Sequence, residues 1–210
     1  MDGEHNSDLE PDLHETSRKS AKFKPKKPKK VTAAYLERAA VHYLGRFSSS
    51  EKNLYDVLER KVRRRNENHA PATDEQQGWI AHVVAKCVGY DYVNDNRYAV
   101  QRAEMLLRKG KPVRMIKQDL RYKGISADIS AMALAQLGGD DAAAIDKKAA
   151  AAFVKRRRFG PFRREVGADS VQIAAKRDKE LASMARAGFA YGLANEMLGW
   201  SADDIIDLLA

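Results

Sequence analysis

The chain has 210 residues, of which 32% are charged and 44% hydrophobic, with a formal net charge of +9 at pH 7. That length allows one large domain or two small ones, the apolar content is enough for cores, and the basic balance favours anionic partners, either nucleic acid or an acidic protein surface. A lone Cys87 excludes an intrachain disulfide and a thiolate metal cluster, which fits a reducing compartment. No apolar stretch reaches membrane-spanning length, and the acidic start Met1-Asp2-Gly3-Glu4 is unlike a secretory signal, so a cytoplasmic location is expected.

Residues 1–30 begin acidic (Asp2, Glu4, Asp8, Glu10) and turn basic from Arg18. There Lys22, Lys24, Lys26, Lys27, Lys29 and Lys30 interleave with Pro25 and Pro28. With almost no apolar side chains to offset the entropy of ordering, this segment is expected to be a disordered, extended cationic arm. From Val31 the pattern is helical. Ala34, Tyr35, Ala39, Val41, His42 and Leu44 make a stripe that Gly45 ends. Ser48 and Glu51 stand at capping-box spacing before a helix with Leu54, Val57, Leu58 and Val62 on one side and Arg60, Lys61, Arg63, Arg64 and Arg65 on the other. A loop over 66–72 leads to Thr73 and Gln76, a second capping box, and to the apolar run Ile80, Val83, Val84, Cys87, Val88. Cys87 in that run reads as a small buried hydrophobe.

Asn94-Asp95 opens the next helix, with Tyr98, Ala99, Ala103, Leu106 and Leu107 inward, and Lys109-Gly110 ends it. Pro112 sits where a first helical turn tolerates proline, ahead of Val113, Ile116 and Leu120. Gly124 stops that helix, and Ser126 caps another that runs to Gly138-Gly139. Asp140 begins a long Ala-rich helix to about Arg158, broken at Gly160-Pro161; further helices end at Gly188, span about 190–198, and follow the cap Ser201/Asp204. No alternating strand pattern appears. The fold class is therefore all-α, with repeats at 31–93, 94–139 and 140–210, the last carrying a C-terminal helix.

The repeat is legible in one phrase written twice. Leu120-Arg-Tyr-Lys-Gly124-Ile125 returns as Met184-Ala-Arg-Ala-Gly188-Phe189, each followed by apolar residues at helical spacing. Each reads as a helix, a tight glycine stop and a helix that folds back. In the first unit, Leu58 and Val62 stand at the same offset without the glycine. A helix, tight turn and helix within a three-helix unit is also the outline of a helix-turn-helix domain.

Catalysis finds little support. His42, His69 and His82 have no partner at a ligand spacing, and His42 and His82 lie beside apolar residues as structural histidines would. Asp140-Asp141 and Asp203-Asp204 stand at helix starts, where carboxylates cap amides. No Gly-rich phosphate loop is present. Basic residues are the stronger signal. They cluster at 60–65, at 108–123 and at 155–164, in what read as corresponding parts of a repeat, and Arg114, Lys117 and Arg121 share one helix face. Phe159 and Phe162 interleave with the last cluster, either as stacking platforms for bases or as anchors for a helix end.

Taken together, Gly89-Tyr90, Asn94-Asp95-Asn96-Arg97-Tyr98-Ala99, Lys109-Gly110-Lys111-Pro112-Val113-Arg114-Met115-Ile116, Asp119-Leu120-Arg121-Tyr122-Lys123-Gly124-Ile125 and Arg186-Ala187-Gly188-Phe189 resemble the RecX family of bacterial recombination regulators. The resemblance covers about 31–200. It implies an elongated array of three tandem three-helix repeats that lies in the groove of RecA filaments on single-stranded DNA, restraining ATP hydrolysis, strand exchange and co-protease activity. It implies no enzyme activity and no cofactor or metal, a monomer, and contact with single-stranded DNA through the filament. On that reading Arg97, Arg102, Lys109, Arg114, Lys117, Arg121, Lys123, Arg156, Arg157, Arg158 and Arg186 are the expected electrostatic contacts. Asp95, Gly110, Pro112, Gly124 and Gly188 would set the geometry between helices. Two other functions fit the same residues: a helix-turn-helix protein acting on duplex DNA without a recombinase, and an adaptor for an acidic protein.

Overall fold

Short polar side chains open most of the helices. In the computed structural model, which describes residues 30–139, 141–164 and 170–210, Thr32 caps α1 (Ala33–Leu44) by accepting the Tyr35 amide. Ser50 caps α2 (Glu51–Arg63), and Thr73 with Gln76 forms the capping box of α3 (Asp74–Gly89). Asn94 caps α4 (Asp95–Arg108) and Pro112 precedes α5 (Val113–Tyr122). Ser126 caps α6 (Ala127–Gly138) and Asp141 caps α7 (Ala142–Arg157). Then come α8 (Ser170–Ala187), α9 (Tyr191–Met197) and α10 (Ala202–Leu209), the last with the Ser201/Asp204 capping box. Among the described residues all regular structure is helical, with two short 3-10 turns at Glu67–His69 and Gly160–Phe162. The cationic arm expected at 1–30 lies outside the described residues except for Lys30, as does Asp140.

Three starts and stripes differ from the sequence expectation. The cap of α2 is Ser50, not Ser48: the Ser50 hydroxyl accepts the Asn53 amide and donates to the Lys123 carbonyl, while Ser48 bonds Gln101. In α1 the buried stripe is Leu36, Ala39 and Ala40; Val41, 59% exposed, and His42 lie on the outer face. His82 is also exposed, so neither histidine is a packed structural one. Pro112 stands just before α5 rather than within its first turn, with extended ψ.

The apolar faces close into three clusters. Leu36, Leu54, Leu58, Val62, Ile80, Val83 and Cys87 join α1, α2 and α3. Ala99, Ala103, Ile116, Leu120, Ala133 and Leu134 join α4, α5 and α6, and Ile145 of α7 enters the same cluster. Further along α7, Ala149, Ala150, Phe153 and Val154 belong to the third cluster, with Met184 of α8, Phe189 of the turn after it, Met197 of α9 and Ile205 of α10. One helix therefore welds two cores, and each fully buried leucine or isoleucine contributes about 2 kcal/mol by leaving water.

The seams between units repeat. The first amide of α2, at Glu51, donates to Asp95 Oδ1 of α4 at 2.9 Å; the first amide of α5, at Val113, donates to Asp146 Oδ1 of α7 at 2.7 Å. In both cases an acid on the first helix of the next unit satisfies an amide that an isolated helix leaves unpaired. The joint glycines follow the same rule. Gly124 has φ +82° and sits against Lys52 of α2, so closely that any Cβ would collide with it. Gly188 has φ +102° and sits against Pro112, Arg114 and Met115 at the start of α5. Each joint thus seats on the second helix of the unit before it. The first unit has Val62 at this position, and Val62 is buried in its own core as α2 continues past it.

Candidate partner-binding groove

Helix α5 turns Val113, Ile116 and Leu120 into the core and leaves Arg114, Lys117 and Arg121 exposed on the opposite face. The glycine at 124 reverses the chain so that α6 returns beside this face. The result is an open groove of about 490 Å³ lined by Arg114, Lys117, Gln118, Arg121, Ile125, Ala127 and Ser130. None of the three cations makes an ion pair or a side-chain hydrogen bond with another described residue. The groove also meets the first turn of α6 at Ala127, where the positive end of the helix dipole adds to the field. It can hold carboxylates or phosphates by charge.

The other expected contact residues divide. Arg97 holds the loop before its own helix: its guanidinium pairs with Asp91 Oδ2 at 2.7 Å and donates to the Asp91 carbonyl. Hydrogen bonds from Arg97 first, then Asn94, hold the Asp91 carboxyl below the usual carboxylate range. Arg102 clamps α4 to α5 through a two-pronged pair with Asp119, at 2.8 and 2.9 Å, and that bond pushes its pKa further up. Lys123 belongs to the first seam, where its ammonium donates to Asn53 Oδ1 at 3.0 Å. Lys109, Arg156, Arg157, Arg158 and Arg186 are exposed. Arg156 and Arg157 lie over the rings of Phe153 and Phe159.

Among the structural residues, Asp95 is the seam acceptor, and burial raises its pKa against the lowering effect of the Glu51 amide. Gly110, at φ +67°, brings the end of α4 against the Phe153 backbone of α7, where a Cβ would lie 2.6 Å from the amide nitrogen.

The three basic clusters are not all in corresponding places. Arg108 and Lys109 end α4 as Arg156 and Arg157 end α7, and Arg158 adopts the left-handed conformation that Gly110 has after α4. Arg63, Arg64 and Arg65, however, lie beyond Val62, where α5 has already stopped, and Arg65 covers the Tyr35 ring at 3.5 Å. Arg163 of the last cluster turns inward to Glu180 at 2.6 Å, and Glu180 also accepts the Gly160 amide. Phe159 and Phe162 pack against the third core, so they are anchors for the helix end.

Sequence reasoning missed Asp119, Asp146 and Glu180, whose partners lie well away in the sequence and leave no local pattern. Among the described residues no three His, Cys, Asp or Glu side chains gather as a metal site would need, and no helix is long and apolar enough to cross a membrane.

A family model described as "RecX, second three-helix domain" matches residues 94–134, the unit that carries the groove. "Regulatory protein RecX" of Myxococcus xanthus is 36% identical over 178 residues, spanning 83% of this chain and 89% of the relative. The chain belongs to the RecX family. The RecX regulatory protein of Agrobacterium fabrum is 28% identical over 177 residues, spanning 84% of this chain and 89% of its own length. The crystal structure of RecX from Lactobacillus salivarius shares the fold at a TM-score of 0.50 and 20% identity, covering 84% of this chain and 96% of that one. As a RecX chain, the molecule carries its family match on the unit whose groove is lined by Arg114, Lys117 and Arg121, and its relatives are named as regulatory proteins.

Proposed function

We propose that this RecX chain is a non-enzymatic regulator that binds RecA recombinase filaments on single-stranded DNA and restrains their ATP hydrolysis, strand exchange and co-protease activity. The observation that carries this reading is the groove between α5 and α6, whose Arg114, Lys117 and Arg121 are exposed and unpaired while neighbouring arginines are spent on internal ion pairs. Free cations in an open groove suit an extended anionic surface, and weak contacts along an array add by avidity when several protomers are engaged. Seams fixed by Asp95, Asp146, Gly124 and Gly188 favour a partner with its own regular spacing.

Co-sedimentation of the full chain with preformed RecA–single-stranded DNA filaments, beside naked duplex, tests the reading. Binding to filaments with inhibition of their ATPase supports it. Tight, sequence-selective duplex binding without filament binding would replace it with the helix-turn-helix alternative.

A further inference from the structure

The third unit contains the same groove with an opposite lining. Aligned on the joint glycines, Arg114, Lys117, Gln118 and Arg121 of α5 correspond to Asp178, Leu181, Ala182 and Ala185 of α8, and Ala127 of α6 corresponds to Tyr191 of α9. Those five residues of the third unit line an open groove of about 290 Å³. No cation lines it. Its one charge is Asp178, at the place of Arg114, and Asp178 has no ion-pair partner among the described residues. The adjacent Arg177 is committed elsewhere, donating to the Leu198 and Asn195 carbonyls and to Asn195 Oδ1. Tyr191 is 70% exposed at the rim.

We infer that the α8–α9 groove is a protein-docking site that takes a large apolar side chain from a partner segment carrying a Lys or Arg about one helical turn away. The negative charge and methyl-lined floor repel phosphate and suit an apolar residue, with the partner's cation meeting Asp178. A rigid, exposed tyrosine at the rim is the kind of side chain that anchors protein interfaces. The two grooves then read different chemistry on one assembly, anionic at the second unit and apolar-cationic at the third. This division rests on the filament reading above, in which the apolar segment belongs to the recombinase protomer.

Two exposed positions test it with the full chain: Ala185→Arg, which fills the groove and gives it the charge of its counterpart, and Tyr191→Ser. Equal helicity and melting temperature establish that both variants fold. The expected result is a roughly tenfold loss of affinity for RecA–single-stranded DNA filaments, with binding to a bare single-stranded oligonucleotide unchanged by Tyr191→Ser. Filament affinity within twofold of the unaltered chain for both variants, or tighter filament binding by Ala185→Arg, overturns the inference. Should the unaltered chain bind no filament, the partner reading fails separately. The groove is then probed with short peptides placing Leu, Met or Phe one turn from Lys. Amide NMR shifts confined to Asp178–Tyr191 and abolished by Asp178→Lys sustain the docking site, and no shifts at any of these amides overturn it.

Discussion

The α5–α6 and α8–α9 grooves are built on one plan and lined by different side chains. In both, a helix ends at a glycine of positive φ, the next helix folds back, and the glycine seats on the preceding unit or next to it. The scaffold thus decides where a groove falls, while the side chains facing outward from the second helix decide what fits it. In the second unit these are Arg114, Lys117, Gln118 and Arg121; in the third, Asp178, Leu181, Ala182 and Ala185. The first unit extends the series. Counted from Val62, its α2 face reads Lys52, Tyr55, Asp56 and Glu59, and Lys52 is already paired with Asp56 at 2.7 Å. Net charge alone suggests a uniformly basic array. Of the three corresponding helix faces, only that of the second unit is lined by unpaired cations.

The largest effect expected from breaking this contrast is that of Lys117→Glu with Arg121→Glu, which makes the second groove acidic. Filament affinity should fall roughly a hundredfold, since like charges across an interface cost several kcal/mol, with circular dichroism unchanged. Next is Gly188→Ala. It forces a side chain into a left-handed backbone against Arg114 Nη2 at 3.1 Å, disturbing both grooves at once. A loss of about 2 kcal/mol in stability is expected by denaturant titration. Asp146→Ala removes the acceptor of the Val113 amide and should cost about 1 kcal/mol; Asp146→Asn should recover most of it if hydrogen bonding rather than charge holds the seam. The smallest effect belongs to Arg97→Ala. Because this arginine serves Asp91, filament affinity should stay within about twofold while the loop before α4 loosens in hydrogen exchange.

Much of this arrangement was readable from local pattern. The Thr73/Gln76 and Ser201/Asp204 boxes, the glycine joints and the α5 face all depend on residues within a turn or two of one another, and the structure has them as the spacing predicts. What local pattern could not reveal was where long side chains are spent. Arg102 looks as available as Lys117 until Asp119 is found across the α4–α5 contact, and Arg163 looks solvated until Glu180 of α8 closes on it. The cap at Ser50 was obscured because three serines stand in a row; the last of them accepts the Asn53 amide and is tied to the Lys123 carbonyl of the second unit. The missing glycine of the first unit was legible as an irregularity, and its physical sense came from the seams. A glycine is needed where a preceding helix must fit, and Val62 fills a core instead.

If the second unit's groove, rather than basic charge in general, engages the filament, reversing charge in the groove should release it while the same reversal elsewhere should not. The most direct measurement is inhibition of RecA ATP hydrolysis on single-stranded DNA by two folded variants of equal net charge: Lys117→Glu with Arg121→Glu, and Arg60→Glu with Arg64→Glu, exposed residues at the C-terminal end of α2. The groove variant should lose inhibition while the α2 variant retains it. Equal loss in both would assign binding to general basic charge, and full inhibition by the groove variant would show that the groove is not the contact.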